Sequence, residues 1–251
     1  MGGGPLVLGH RGASREAPEN TLAAFRLAME QGADGVELDV WRCRSGEVVV
    51  FHDADCRRIA GAPLRITRAR WDELRELDVG LHKGEKFRGE RIPLLEQVFE
   101  ALPSALVNVE LKSPGLGRGD PRLAWDVARI IADRGAGDRV IVSSFDPVLL
   151  GLFRLAAPRI PTGMLFEAEQ RWRLVADVAA PALWATALHP ESALVTPERV
   201  RGWKQRGYAL NVWTVDAPGE VDRLCGLGVD GLITNVPAEV ARRVKGYPPG
   251  A

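Results

Sequence analysis

The chain has 251 residues, of which 46% are hydrophobic and 26% are charged, so it is long enough to bury a sizeable core. Lysine plus arginine and aspartate plus glutamate number 33 each, which argues against a nucleic-acid-binding protein and against charge-driven binding to an anionic membrane. The three cysteines form no CxxC pair, which argues against a disulfide framework and a cysteine metal site.

The N-terminal residues Met1–Pro5 carry neither the charged segment nor the long apolar run of a secretory signal. No apolar run elsewhere approaches the ~20 residues that a membrane-spanning helix needs. The sequence therefore predicts a cytoplasmic protein without a stable membrane anchor, and it leaves the oligomeric state open.

Short apolar runs alternate with longer amphipathic segments up to about residue 242. The strand-like runs are Pro5–Gly9, Gly35–Val40, Val107–Leu111, Val140–Ser144, Thr162–Phe166, Ala185–His189, Leu210–Val215 and Gly231–Thr234. Helix-like segments with apolar residues spaced by three and four separate these runs. This alternation favours a closed (β/α)8 TIM barrel, as a single domain over residues 1–251. A doubly wound open sheet is the alternative, but no GxGxxG motif follows the first run.

Two of the helix-like segments carry clear start signals. The first has its apolar face at Leu22, Phe25 and Met29, and Asn20 is its predicted N-cap. A later helix is predicted to begin at Pro197, with the preceding threonine as its cap.

A Ser-Gly turn follows the second strand and precedes Val48–His52, a pattern that predicts a β-hairpin. Val48–His52 would then be an extra antiparallel strand beside the second barrel strand. Residues 53–92 are too long for a simple connection, and they include a predicted short helix at Thr67–Leu77. We expect this segment to form a small insertion that caps the C-terminal face of the barrel.

Carboxylates gather at the strand ends, where barrel enzymes place their catalytic groups. Glu37 and Asp39 share one face of the second strand, and Glu110 lies near the end of the third barrel strand. An outward orientation would bury the first two under helices without partners, so we expect all three to face the barrel mouth. Close carboxylates repel unless a cation lies between them, and such oxygen ligands favour Mg²⁺ or Ca²⁺, with Mn²⁺ as a further candidate.

Basic side chains are expected at the same mouth. His10 and Arg11 end the first strand, His52 ends the hairpin strand and Lys112 follows the third barrel strand. Histidine titrates near neutral pH and suits both proton transfers of phosphoester cleavage. Lys112 either binds a phosphoryl oxygen or pairs with the carboxylates. Asp53 is placed to orient His52.

At these residues the sequence resembles the glycerophosphodiester phosphodiesterases, from about residue 6 to residue 237. The matching motifs are GHRG at 9–12, PENT at 18–21, GADGVELDV at 32–40, VVFHD at 49–53, NVELK at 108–112, SSF at 143–145, NVWTV at 211–215 and GVDGLITN at 228–235. The motifs are specific as an ordered set, whereas no single one of them would be.

The resemblance implies an enzyme that hydrolyses glycerophosphodiesters to sn-glycerol 3-phosphate and an alcohol, with one divalent cation. It implies metal ligands at Glu37, Asp39 and Glu110, and acid–base catalysis by the two histidines. It leaves open which histidine is the acid, and whether the nucleophile is water or the substrate's own hydroxyl group.

Further residues follow from the resemblance. Arg11 and Lys112 would hold the phosphate, and Trp213 would pack against the glycerol or alcohol moiety, although core packing is its alternative role. The residues expected to support this set are Glu19, Asn20 and Asp53.

Two residues depart from the family pattern. His189 ends the sixth strand-like run where no fixed histidine is expected, and we expect it to cap the strand rather than line the pocket. Asp216 stands where asparagine is common. Neither belongs to the core set, but both leave the preferred head group open.

Three other functions compete with this one. A lysophospholipase D-like activity on the same site would need an apolar groove, for which the insertion offers Leu74, Leu77, Leu81 and Phe87. A non-catalytic phosphodiester-binding barrel would usually lack a histidine or a carboxylate of the set. A metal-dependent sugar isomerase or aldolase barrel would not account for paired histidines beside an arginine and a lysine.

Overall fold

The computed structural model describes residues 4–168 and 173–245, and within them eight parallel strands close into a barrel. The strands in chain order are β1 (Leu6–His10), β2 (Gly35–Arg42), β3 (Val48–Val50), β4 (Leu106–Leu111), β5 (Val140–Ser144), β6 (Thr162–Phe166), β7 (Ala187–Pro190), β8 (Ala209–Val212) and β9 (Gly231–Thr234). β1 pairs with both β2 and β9, which closes the barrel, and β3 adds an antiparallel strand at its rim. The predicted TIM barrel is confirmed.

Helices connect the strands and cover the outside of the barrel. In the described residues they are α1 (Leu22–Glu30), α2 (Arg57–Ala60), α3 (Trp71–Leu74), α4 (Leu95–Ala101), α5 (Pro121–Asp133), α6 (Pro147–Ala156), α7 (Arg173–Ala182), α8 (Pro197–Gln205), α9 (Pro218–Leu227) and α10 (Pro237–Lys245). None of these described helices combines the length and the apolar character needed to cross a membrane.

The barrel strands bury both of their faces. On β2, Val36, Leu38 and Val40 belong to the apolar core between the barrel and its helices. Glu37 and Asp39 alternate with them and therefore face the barrel axis. On β2 the outer face thus belongs to the core, and the inner face carries polar groups.

The β2–β3 hairpin raises one side of the barrel rim. β1 runs beside β2 only as far as the pair His10 and Glu37, and β3 takes its place farther along, from Val40 to Arg42. The extra strand is two residues shorter than predicted, because the chain turns across the mouth after Phe51. The His52 carbonyl there accepts a hydrogen bond from the Trp41 indole nitrogen at 3.1 Å.

Residues 53–92 form the predicted insertion, and its apolar residues, including Ile66 and Leu74, pack with residues of the β2–β3 hairpin in a small core. It contacts the loop after β1, where Lys83 donates to the Ser14 carbonyl at 2.7 Å, so it lies over the C-terminal face. The predicted helix at Thr67–Leu77 is wrong in extent, since only α3 is helical. The expected first residues of that helix form a turn instead, in which the backbone N–H groups of Arg68 and Ala69 donate to the Arg65 carbonyl.

The predicted caps have mixed outcomes. Thr196 caps α8, because its hydroxyl accepts from the backbone N–H of Arg199 at 3.3 Å. For α1 the prediction is wrong by one residue, since Thr21 is the cap and accepts from the Ala24 N–H at 3.2 Å. Asn20 instead has a left-handed backbone, with φ of 58°, and its side chain turns towards the barrel mouth.

Candidate active site

Three carboxylates meet inside the mouth of the barrel. The parallel pairing of β2 with β4 sets Asp39 beside Glu110, and Glu37 precedes Asp39 by two residues on the same inward face. All three are buried, with exposed fractions of 4% for Glu37, 1% for Asp39 and 7% for Glu110. One oxygen atom from each lies within 4.8 Å of the others.

Two cationic side chains offset part of this charge. Lys112 Nζ lies 2.8 Å from a Glu110 oxygen and 3.3 Å from an Asp39 oxygen, and Arg11 Nε lies 3.3 Å from the other Asp39 oxygen. Burial would raise the pKa of Asp39, but Lys112 and Arg11 hold it well below its usual range. Among the described residues, only the Arg11 backbone N–H donates a hydrogen bond to Glu37, at 3.1 Å. Burial, with repulsion from Asp39 and Glu110, raises the pKa of Glu37 far above its usual range.

This oxygen set fits a hard divalent cation. Ca²⁺ binds its oxygen ligands at about 2.3–2.6 Å, so two oxygens on one ion lie up to about 5 Å apart, and Mg²⁺ needs somewhat closer ones. The 4.8 Å limit on the three carboxylates meets this requirement. A cation would also replace the proton that the raised pKa of Glu37 otherwise favours, and carboxylate ligands favour Mg²⁺, Ca²⁺ or Mn²⁺ over softer metals.

His10 is held from behind by a neutral amide. Its Nδ1 lies 2.8 Å from Asn235 Oδ1, while Asn235 Nδ2 donates to the Asp216 carboxylate at 2.7 Å. Asp216 also accepts from the Asn235 backbone N–H and the Thr234 hydroxyl, so it fixes the orientation of the amide. With the amide oxygen facing the ring, we assign the proton to Nδ1, which leaves Nε2 as an acceptor 3.9 Å from Glu37. Burial, aided by Arg11, lowers the pKa of His10 to about 4.

His52 is held from behind by a carboxylate. Its Nδ1 lies 2.8 Å from Asp53 Oδ1, and Arg58 Nε donates to the other Asp53 oxygen at 2.7 Å. Burial lowers the pKa of His52, and it outweighs the opposing effects of Asp39 and Asp53. Since Nδ1 faces Asp53, Nε2 is the ring nitrogen left for the cavity.

Arg58 joins both sides of this site. Besides Asp53, its guanidinium binds both oxygens of Glu19, at 2.7 and 2.8 Å. Glu19 in turn accepts from Arg11 at 3.0 Å. One arginine of the insertion therefore supports the carboxylate behind His52 and the carboxylate behind Arg11.

The cavity between these groups has a volume of about 130 Å³. Its wall residues are His10, Arg11, Glu37, His52, Asn108, Glu110, Lys112, Phe145, Leu165, Glu167, Trp213 and Ile233. The Trp213 indole donates to the His189 carbonyl at 2.8 Å, and Phe145 meets it edge to face with ring centres 5.6 Å apart. Charged and aromatic side chains thus line the same small space.

The residues predicted from the sequence converge at this place. All those expected to contact metal or substrate line the cavity, except Asp39, which lies directly behind it. Of the three supporting residues, Glu19 and Asp53 make the contacts described above. Asn20 Nδ2 donates to Asp39 at 2.8 Å. The chemical roles of all these residues stay predictions.

His189 does not line the cavity and does not cap its strand. It is fully buried inside the barrel, where Nε2 lies 3.0 Å from Asn211 Nδ2, and burial lowers its pKa to about 3. Gly163 makes room for the ring, since a Cβ there would lie 2.3 Å from His189 Nε2. The side chain fills the barrel interior.

Sequence reasoning missed several residues that line or support the site, of which Asn108, Asn235 and Arg58 are three. Asn108 could have been found, because it precedes Glu110 by two residues on an inward-facing strand. Asn235 follows the last strand directly, a position where polar residues of a barrel deserve inspection. Arg58 has no such signal, since it lies in the short helix α2 of the insertion, away from any barrel strand end.

Comparison with known proteins gives consistent results. A model of the glycerophosphoryl diester phosphodiesterase family matches residues 10–239. The chain is 38% identical over 244 residues to the glycerophosphodiester phosphodiesterase of Caldanaerobacter subterraneus subsp. tengcongensis, covering 96% of this chain and 98% of that protein. It also resembles the structure of an Oleispira antarctica phosphodiesterase in complex with its product sn-glycerol-3-phosphate, with a TM-score of 0.86, 27% identity and coverage of 96% and 97%. For the Thermotoga maritima glycerophosphodiester phosphodiesterase the TM-score is 0.78, with 30% identity and coverage of 96% and 99%.

Proposed function

We propose that the cavity at the barrel mouth is the active site of this chain, which belongs to the glycerophosphoryl diester phosphodiesterase family. The reaction is hydrolysis of a glycerophosphodiester to sn-glycerol 3-phosphate and an alcohol. The observation that carries the assignment of the site is that two carboxylates, two imidazoles and two cationic side chains line one small cavity, with the third carboxylate, Asp39, close to the other two.

The charged side chains of the cavity are suited to a phosphodiester anion. Arg11 and Lys112 line the cavity and are anchored by carboxylates, so their positive charges are fixed before substrate arrives. Glu37, Asp39 and Glu110 would hold the divalent cation. When bound, this cation would neutralise phosphoryl charge and favour ionisation of the attacking oxygen.

The two histidines handle the protons. Each ring is tied through Nδ1, His10 to Asn235 and His52 to Asp53, so each presents Nε2 for proton transfer. One ring takes a proton from the attacking hydroxyl group, and the other gives a proton to the leaving alkoxide. In the proposed complex Trp213 contacts the glycerol or alcohol moiety, because it is an aromatic side chain that lines the same cavity as the charged residues.

The competing functions lack support from the structure. Leu74 and Leu77 pack in the core that the insertion shares with the hairpin, Leu81 is exposed and Phe87 is half-buried, and none of the four lines the cavity as the apolar groove of a lysophospholipase D-like enzyme would require. Every histidine and carboxylate of the set is present, which argues against a non-catalytic barrel.

The proposed function is tested by measuring release of glycerol 3-phosphate from glycerophosphocholine. We expect dialysis against EDTA to lower the rate by at least about 100-fold, because loss of the cation leaves the three buried carboxylates to repel the phosphate. Adding back Mg²⁺ or Ca²⁺ is expected to restore the rate. Full activity in EDTA would remove the cation from the proposal, and no release by the untreated enzyme would remove the substrate. Lysophosphatidylcholine, assayed in parallel, is expected to be the poorer substrate.

The hydrogen bond behind His10 gives a second prediction. Asn235→Leu keeps the size of the side chain but removes the acceptor for the Nδ1 proton, so the ring loses its fixed tautomer and orientation. We expect kcat for glycerophosphocholine to fall about 10- to 100-fold, with KM changed less than about 3-fold.

Arg15→Ala is the matched control for this variant. Arg15 reaches Asp216 from solvent at 3.5 Å and does not line the cavity, so its loss is expected to leave kcat within about 2-fold. A rise in KM at constant kcat for Asn235→Leu would show that the residue acts in binding and not in orienting His10.

A further inference from the structure

The floor of the cavity contains a buried amide. Asn108 lies on β4, beside Glu37 in the register of the sheet and two residues before Glu110 on the inward face. Its exposed fraction is 1%, and its side chain lines the cavity. Neither Asn108 Nδ2 nor Asn108 Oδ1 has a hydrogen-bond partner among the described residues.

Such a group is costly to keep. A buried amide without hydrogen bonds loses its hydration and gains nothing in return, so an apolar side chain of the same shape would make the folded protein more stable. Ser143 Oγ and His189 Nδ1 are also buried without partners, but neither residue lines the cavity. Asn108 differs from them because a molecule in the cavity can reach it.

The chemistry of the amide indicates what it binds. Asp39 and Glu110 hold Lys112 in place, and its positive charge suits an anionic group of a ligand. Asn108 carries no charge, and it offers donors on Nδ2 and an acceptor on Oδ1. A phosphoryl oxygen only accepts and an ammonium group only donates, whereas a hydroxyl group does both. A hydroxyl group is therefore the best match to this side chain.

We propose that Asn108 is a specificity-determining residue that hydrogen-bonds a hydroxyl group of the substrate's glycerol moiety. It selects phosphodiesters of polyols over phosphodiesters without hydroxyl groups, because an analogue without the hydroxyl leaves the amide unpaired. This inference rests on the proposed function, in that it assumes the phosphodiester occupies this cavity.

Asn108→Leu tests the inference, since leucine has nearly the same size and no polar atoms. We expect kcat/KM for glycerophosphocholine to fall about 10- to 100-fold. For methyl p-nitrophenyl phosphate, a phosphodiester without hydroxyl groups, we expect a change of less than about 3-fold. Equal losses on both substrates, or no loss on glycerophosphocholine, would overturn the inference.

Binding is measured separately, through the thermal unfolding midpoint of the cation-loaded protein. With wild type we expect glycerol 3-phosphate to raise the midpoint more than inorganic phosphate at the same concentration, and with Asn108→Leu we expect the two shifts to be equal. Without ligand, the variant is expected to unfold at the same temperature as wild type or a higher one. A lower midpoint would mean that Asn108 has a structural role.

Ser143→Ala is the matched control, because it also removes a buried unpaired group from the barrel interior. It is expected to keep both the substrate preference and the difference between the two ligand shifts. If wild-type enzyme released no glycerol 3-phosphate from glycerophosphocholine, the proposed function would fail, and the two ligand shifts would still decide whether Asn108 recognises a hydroxyl group.

Discussion

Glu37→Gln is expected to lower kcat/KM for glycerophosphocholine on the order of 10³-fold, the largest loss that we expect from any single substitution of a carboxylate. Glutamine keeps the shape of the side chain but removes one of three negative charges that lie within 4.8 Å of one another. Of these three side chains, Glu37 has no lysine or arginine side chain in ion-pair contact among the described residues, so the proposed cation is its main positive partner. The measurement is a titration of activity with Mg²⁺ and with Ca²⁺.

Stability gives an independent check on this prediction. In wild type a divalent cation is expected to raise the thermal unfolding midpoint, because it binds only the folded arrangement of carboxylates. Metal-free Glu37→Gln is expected to be at least as stable as metal-free wild type, since repulsion with Asp39 and Glu110 is removed, and to gain little from the cation. Glu30→Gln, at the exposed end of α1, is the control and should behave as wild type. A fully active Glu37→Gln enzyme would contradict the proposed metal site.

His10→Ala and His52→Ala are each expected to lower kcat by about 10² to 10⁴, because each removes one of the two groups proposed to move protons. The double variant should lose much less than the product of the two single losses, since the histidines act in one reaction. The measurement is kcat at saturating glycerophosphocholine, together with the unfolding midpoint of each variant.

The insertion supplies the control for the histidine variants. His82 lies near Glu19 and Arg58, yet it is exposed and does not line the cavity. His82→Ala is therefore expected to leave kcat within about 2-fold of wild type. An active His10→Ala or His52→Ala enzyme would contradict the proposed acid–base pair.

The barrel and the convergence of its polar groups could be predicted because both follow from regular periods. Apolar runs separated by helical spacing indicated the strands, and the two-residue period of a strand placed Glu37 and Asp39 on one face. The hairpin predicted that His52 lies near them, because its second strand runs back along β2 towards the barrel mouth. These predictions needed only local patterns and the rule that sites lie at strand ends.

Contacts that depend on the tertiary fold, and not on a repeating pattern in the sequence, could not be predicted. The side chain of Arg58 reaches Glu19, 39 residues away in the chain, and no sequence period connects the two. Asn20 resembled a helix cap because asparagine is common there, but its bond to Asp39 depends on the tertiary fold. His189 entered the barrel interior because Gly163, on the neighbouring strand, left space for it.

Some predictions stay untested. The assignment of residues 1–251 to one domain extends over residues 1–3, 169–172 and 246–251, which lie outside the described residues. The cytoplasmic location likewise stays a prediction, since it drew in part on Met1–Gly3. The choice between Mg²⁺, Ca²⁺ and Mn²⁺ is left to the titration described above.

The shared contacts of Arg58 constrain how this enzyme can be redesigned. Exchanging the insertion at 53–92 for that of a relative, in order to admit a bulkier alcohol, would remove the guanidinium of Arg58. That group binds both Glu19 and Asp53. The roles proposed for Arg11 in phosphate binding and for His52 in proton transfer would then both be weakened by one change. A successful graft must therefore carry an equivalent arginine, and loop swaps that omit it should yield folded barrels with little turnover.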